Sequence, residues 1–398
     1  MAPLPDYPNA LAQVLAGPWR TTSVESIELH RVSGRVLAEA ILADRDLPPF
    51  NRSAMDGYAL RSQDLLKTDT LPCVGFIAAG DADAPKVPAG SCVGIATGAA
   101  VPEGLDAVAP HEWTNRASPV LFNKSPASGD SIHPQGSDAK QGDELVSPGT
   151  TLGTVEQGLA ATVGQLDVPV YQRPRVLLLS SGDEVVPVDS TPAPHQIRNS
   201  NLMMISELLT RMGADIIEQR WLPDDVDQTL QALTQTDADM TVTIGGISAG
   251  DRDAFRDAID ALKPTMLLQG SAIQPGRPIQ IAACGDAGRE RPLVSLPGNP
   301  VSALVTASLF AWPVLRMLQG MNPSLPWTTG KLGNQAHRHH SRRRFRPATR
   351  DAQGNLHVPH WHGSGDLAHA VATVGLVDIE SGSAPVPNGQ DVSWLPWP

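Results

Sequence analysis

The chain has 398 residues, enough for two to four domains that each bury a core. Acids outnumber bases by 42 to 30, for a net charge of −12. That argues against a general nucleic-acid binder with its basic stripe, but leaves room for an anionic small molecule held by local donors. Three cysteines (Cys73, Cys92, Cys284) stand far apart and form no metal-type pair, so a reduced, cytoplasmic setting is expected. The first residues, MAPLPDYPNA, have neither a basic start nor an apolar core, so no secretory leader is expected.

Residues 26–43 read as a helix, with Ile27, Val32, Val36 and Leu37 on one face. A proline-rich turn at 46–49 leads into FNRSAMDGYAL at 50–60. Between 71 and 151 short apolar pieces alternate with Gly, Pro, Asp and Ser, an all-β pattern with frequent turns. A short helix is expected over 155–164. From Pro174 the period changes. Residues 176–179 form a buried-strand run. Asn199 or Asn201 can cap a helix carrying Leu202, Ile205, Leu209 and Met212, which Gly213 ends. A strand is expected at 216–217. Asp224 and Asp225 start a helix with Val226, Leu230 and Leu233. Strands follow at 240–244, 266–268 and 293–296, and helices at 253–262 and 301–318. Such β-α alternation predicts an α/β fold around a parallel sheet with crossover helices. The run 301–318, broken by Trp312-Pro313 and Arg316, reads as too short and interrupted to span a membrane. After Gly320 short strands and turns return, the pattern of a small β domain.

Three loops carry most of the information: SSGDE (180–184), GGISAGDRD (245–253) and LPGNPVSA (296–303). Each ends an apolar run, and ligands bind at the C-terminal rim of a parallel sheet. Glycine lets backbone approach a ligand, and successive N–H groups cradle an anion. Acids in the same loops would repel that anion unless a hard cation such as Mg²⁺ sits between. A phosphorylated or oxyanionic substrate with a divalent metal is therefore expected. Some of these residues also have simpler uses. Asp251 or Asp253 can cap a helix, Pro300 suits a first helical turn, and Asp183 and Glu184 suit a solvated loop. Free N–H groups after Asn299 can hold phosphate, and QPGRP (274–278) adds the cation Arg277. Asp56 in SAMDGY, taken alone, reads as a turn residue. The histidines of AHRHHSRRRF (336–345) and HVPHWH (357–362) find no cysteine or acid at a standard metal spacing. HVPHWH reads as an exposed strand face, and Arg342, Arg343 and Arg344 read as a solvated basic patch. Walker and G-x-G-x-x-G loops are missing, and no Ser-His-Asp set suggests itself.

The ordered set FNRSAMDGYAL, TGAAVPEGLDAV (97–108), SSGDEVV, GGISAGDRD, QPGRP and SLPGNPVSA resembles the molybdopterin molybdenumtransferases, the MoeA proteins, themselves similar to the E domain of gephyrin. The resemblance runs from about Ser23 to the C-terminus. It implies insertion of molybdenum from molybdate into adenylylated molybdopterin, with release of AMP and a need for Mg²⁺. It implies a discontinuous N-terminal domain (1–46 and 132–172) and an inserted β-rich lobe (47–131). A central α/β molybdopterin-binding domain (173–321) and a C-terminal β-barrel-like domain (322–398) would follow. A homodimer is implied, its cleft built from the α/β domain of one subunit and N-terminal parts of the other. Transient contacts with the adenylyltransferase and with molybdoenzymes are also expected, and none with nucleic acid or membrane.

Carried over by position, the acidic site residues are Asp56, Asp138, Glu184, Asp224 and Asp253, the last three holding Mg²⁺. Thr97, Ser181, Gly182, Gly245, Gly246, Ser248 and Gly250 would contact pterin or phosphate. Pro275, Gly276, Arg277, Pro297, Gly298, Asn299 and Ser302 complete the binding set, with molybdate near Arg277, Pro297 and Ser302. The chain departs from the family at four places. Gly270 and Gln274 stand where many or some members carry lysine, Arg277 replaces a lysine, and Asn51 replaces a common Asp. Two other functions fit parts of the pattern. A molybdopterin adenylyltransferase would lack the SAMDGY region and the tail from Lys331, whereas a non-catalytic pterin-binding scaffold would tolerate the missing lysines. The residues do not separate molybdate from tungstate.

Overall fold

The computed structural model describes residues 3–246, 254–286 and 288–398. The chain divides into two compact units. One comprises Met1–Ala38, Pro148–Gly153 and Val168–Pro398, the other Glu39–Ser147 and Thr154–Asp167.

The first unit is built on a six-stranded sheet in the order Asp215–Leu222, Arg175–Ser181, Met240–Ile244, Arg291–Leu296, Gln280–Cys284, Thr265–Gln269. The first four strands are parallel, as the β-α alternation predicts. The last two are antiparallel. The Gln280–Cys284 strand escapes sequence reading because too few residues separate it from Arg291 for a crossover helix, and antiparallel neighbours need none. Side chains of the Arg175–Ser181 strand alternate between faces. Val176 and Leu178 enter one core with Ile205, Leu209 and Phe310, while Leu177 and Leu179 enter another with Leu222, Phe255 and Ile259. Burial on both faces is why this strand reads as an unbroken apolar run.

The helices begin where their caps predict. Asn199 accepts from the Leu202 N–H at 3.2 Å and donates to the Ser180 hydroxyl at 2.7 Å, tying the Ser200–Arg211 helix to the end of a strand. Asp225 caps Val226–Thr234 by accepting from the Gln228 N–H at 2.8 Å. The segment Pro300–Leu318 is one 19-residue helix, long and apolar enough by length and composition to cross a bilayer, yet 83% of that window is buried. The expectation that it is too short is thus corrected: the break at Trp312-Pro313 is absorbed by a π-turn over Ala307–Ala311. Pro313 lacks an N–H and would crowd the carbonyl four residues back. Widening the turn removes that clash, and the Trp312 N–H reaches Ala307 instead. A helix that the sequence reading omitted, Tyr7–Leu15, is capped by Asp6 and packs Tyr7, Ala10 and Val14 into the same core.

Residues 26–43 do not form the expected α-helix; a single 3₁₀ turn, Leu29–Arg31, is all that is helical there. Val24–Glu28 is a strand paired with Asp167–Tyr171, and Val36 and Leu37 bridge to Thr151 and Val170. The apolar residues of this strand, Val24 and Ile27, are β-branched, which suits a pleated ribbon better than a helix. The C-terminal sheet follows the path Ile273–Gln274, Arg343–Arg350, Gly375–Ile379, Asp391–Pro396, Thr328–Lys331. Its first strand comes from the loop before PGRP, so Gln274 lies opposite Arg344.

The second unit holds a four-stranded sheet in the order Cys73–Ile77, Cys92–Ile95, Gly57–Leu60, Ala107–Pro110. Tyr58, Leu60 and Phe122 fill one side, Ala59, Ile77 and Val93 the other. Cys73 and Cys92, distant in sequence, are register partners here. Both are free thiols. Burial, then neighbouring Cys73, pushes the Cys92 thiol up to about 12.

Candidate functional site

Within the first unit the three parallel strands 175–181, 240–244 and 291–296 end together. Their loops, with Asp224 after the strand 215–222, border a cleft of about 590 Å³ lined also by Ser181, Gly182, Glu184, Gly245, Gly246 and Gly298. Oxygen donors crowd one side of it. The Asp224 backbone N–H donates to Asp183 Oδ1 at 3.3 Å. Partial desolvation, then the Asp183 carboxylate, push Asp224 above its ordinary value, and Glu184 adds to the repulsion. Clustered carboxylates repelling one another suit a hard divalent cation, which takes oxygen ligands. Glu184 and Asp224 are thus of the ligand type that Mg²⁺ takes.

A second pocket, of about 260 Å³, lies on the other side of Pro297 and Asn299, which line both. Pro275, Gly276, Arg277 and Ser302 line it with Arg342 and Arg346. Gly276 takes φ 102°, and a Cβ there would lie 2.3 Å from Thr306 Cγ2, so only glycine lets the loop pack on the buried helix. The strand Arg343–Arg350 explains the arginines. Alternation sends Arg343 to one face, where it pairs with both oxygens of Asp378 at 2.7 and 2.5 Å. Arg342, Arg344 and Arg346 take the other. Arg344 donates to Gln274 Oε1 at 2.8 Å, and Arg346 stacks over Trp361 at 5.3 Å. Among the described residues, Arg277, Arg342, Arg344 and Arg346 have no carboxylate at ion-pair distance. Burial, then Arg344, hold Arg346 down to about 10, and burial, then Arg342, lower Arg344. A pocket with this much uncompensated positive charge can bind a compact oxyanion.

The sequence reading took Arg342–Arg344 for a solvated patch, which the structure corrects. The signal available was the period-2 alternation of RRRFR. The departures from the family pattern also acquire a reason. Gly270 has φ 94°, and a Cβ there would press on the Arg277 carbonyl at 3.0 Å, while Gln274 is held by Arg344. Positive charge here comes from the C-terminal strand.

Asp253, Ser248 and Gly250 lie outside the described residues. Val301 N–H donates to the Ser364 carbonyl at 3.0 Å, so one of the helix-start donors expected for phosphate is already engaged. Asp56, Thr97 and Asp138 belong to the second unit. There the Thr97 N–H donates to Asp56 Oδ1 at 2.9 Å. Asp138 Oδ1 lies 2.8 Å from His133 Nε2, and the other ring nitrogen lies 3.4 Å from Arg52. His133 and Arg52 were not singled out from the sequence.

A cleft at the C-terminal rim of a parallel sheet is the ligand site of an α/β binding domain, and the family model for a probable molybdopterin binding domain matches residues 177–317. The model for the MoeA N-terminal region (domain I and II) matches residues 6–164. Molybdopterin molybdenumtransferase of Haemophilus influenzae is 34% identical over 303 residues, 75% of this chain and 74% of that one. Molybdopterin molybdenumtransferase 2 of Mycobacterium tuberculosis is 32% identical over 382 residues, 92% and 93% of the two chains. The crystal structure of the molybdopterin biosynthesis MoeA protein from Pyrococcus horikoshii superposes with a TM-score of 0.79 at 26% identity, covering 100% of each chain. The chain belongs to the molybdopterin molybdenumtransferase family, a family of transferases.

Proposed function

We propose that this protein transfers molybdenum from molybdate to adenylylated molybdopterin and releases AMP. The observation that carries the reading is the pair of pockets divided by Pro297 and Asn299, one lined by carboxylates and backbone turns, the other by arginines. The nucleotide-linked pterin needs the first chemistry and a tetrahedral oxyanion needs the second.

On this reading Glu184 and Asp224, with Asp253 assigned from sequence alone, would hold Mg²⁺, which when bound neutralises charge on the phosphoanhydride oxygens. Ser181, Gly182, Gly245 and Gly246 seat the pterin or its phosphate against the strand ends. Arg277, Arg342 and Arg346 hold molybdate beside Ser302 through charge-assisted hydrogen bonds. Water attacks the phosphoanhydride, so that AMP leaves and the pterin keeps its terminal phosphate; the two dithiolene sulfurs bond to molybdenum as one molybdate oxygen departs as water with the two thiol protons. The partition keeps the two substrates adjacent, so proximity supplies much of the rate. Asp56, Thr97 and Asp138 are assigned to orienting substrate in a homodimer, and the free thiols suit a reducing cytoplasm.

The test is turnover: purified protein, adenylylated molybdopterin, molybdate and Mg²⁺ should yield AMP and active cofactor together. Pterin binding without AMP release would refute catalysis and leave the scaffold. Formation of adenylylated pterin from ATP would identify the adenylyltransferase instead.

A further inference from the structure

The C-terminal histidines contain a second constellation that the reaction does not use. His362, Asp366 and His369 each offer one ligand atom, and these atoms lie within 4.8 Å of one another. We propose that they bind a divalent transition-metal ion of the Zn²⁺ type, and that the ion fixes the loop walling both pockets.

The geometry favours this in three ways. His362 Nδ1 lies 3.2 Å from Asp366 Oδ2, and His369 Nδ1 lies 2.8 Å from Asp366 Oδ1. A tetrahedral zinc site with bonds of about 2.0 Å has ligand atoms roughly 3.3 Å apart, so small side-chain rotations admit the ion. The carboxylate is already set in place: Asp366 is 9% exposed at its side chain and accepts from the His362 N–H at 3.1 Å. The imidazoles are exposed, leaving room for solvent to complete the coordination. Two imidazoles and one carboxylate form a donor set that selects zinc and its neighbours over Mg²⁺, so the site is chemically distinct from Glu184 and Asp224.

The same loop reaches the pockets. Trp361, Gly363 and Ser364 line the arginine pocket, and Gly365 lines the carboxylate cleft. The Ser364 carbonyl holds the Val301 N–H. A metal joining residues 362 and 369 cross-links the two ends of this segment, restricting the wall on which Trp361 supports Arg346.

The experiment uses the full chain, stripped of metal and titrated with Co²⁺, followed by its visible ligand-field bands and displaced with Zn²⁺. One equivalent is expected to bind. His369→Ala, at an exposed position, should weaken binding by roughly tenfold or more, whereas His339→Ala/His340→Ala should leave it unchanged. Zn²⁺ should also slow amide exchange across 360–370 in wild type and not in His369→Ala, with circular dichroism confirming that both fold. Unchanged affinity in His362→Ala/His369→Ala, or loss of binding in His339→Ala/His340→Ala, overturns the proposal, as does exchange across the loop that ignores the metal.

Discussion

Replacing Arg346 with glutamine separates an oxyanion ligand from a structural cation. Arg346 lies on the strand Arg343–Arg350, lines the smaller pocket beside Arg277 and Arg342, and stacks on Trp361. Hydrogen bonds from a charged donor contribute about 1.5–3 kcal/mol each. Molybdate should therefore bind about 10- to 100-fold more weakly to Arg346→Gln, measured by calorimetry. Stability should move the other way. Burial and Arg344 lower Arg346 from its ordinary value to about 10, about 3 kcal/mol against its charged form. Residual exposure discounts this to about 1–2 kcal/mol. Without molybdate the variant should be as stable as wild type or more so in urea. Saturating molybdate should raise the melting temperature of wild type far more than that of Arg346→Gln. Equal affinity in the two proteins refutes the oxyanion role. A variant markedly less stable than wild type shows that Arg346 serves the fold.

Glu184→Gln should lower AMP release by at least roughly 100-fold and flatten its Mg²⁺ dependence, while molybdate affinity stays unchanged. Asp224 has a raised value, so its ionised form weakens the fold. That penalty is absent below the unfolded carboxylate range, grows as pH rises through it and is complete above the folded value. Asp224→Asn should accordingly be more stable than wild type at neutral pH and no different at strongly acidic pH, as thermal scans across pH would show. If Asp56 serves the partner's cleft in a dimer, mixing inactive Asp56→Ala with inactive Glu184→Ala should restore about a quarter of wild-type turnover after subunit exchange. A mixture that stays inactive despite proven exchange removes that arrangement. Asp378→Ala leaves Arg343 buried without its partner and should cost about 3 kcal/mol in urea denaturation, with molybdate affinity retained.

The inner parallel strands 175–181, 240–244 and 291–296 are legible because they are buried on both faces, and the helices carry caps at Asn199 and Asp225, whereas the exposed edge strand 215–222 shows only its apolar pair 216–217. The antiparallel strand Gln280–Cys284 is not, since nothing local marks whether a chain returns beside its neighbour or crosses over. Pattern reading also fails at 26–43, where apolar residues fit two periods and the pairing with distant 167–171 chooses between them. The loops SSGDE and LPGNPVSA announce a ligand rim through composition. The arginines of 342–346 require knowing that they sit on a strand, because only alternation separates Arg343, committed to Asp378, from Arg342 and Arg346. The His362–Asp366–His369 group escapes sequence reading because Asp366 and His369 lie beyond the HVPHWH run, and a turn ending in the 3₁₀ segment Ala368–Ala370 brings the three ligand atoms together.

The divider between the pockets follows an inner strand of the sheet and leads into a helix whose residues 301–306 are all buried. Between those anchors Gly298 and Asn299 are exposed. If the two substrates occupy these pockets as proposed, both rest against Pro297 and Asn299, and one stretch of backbone sets the gap between them. A single added methylene there would lengthen that ruler for both at once.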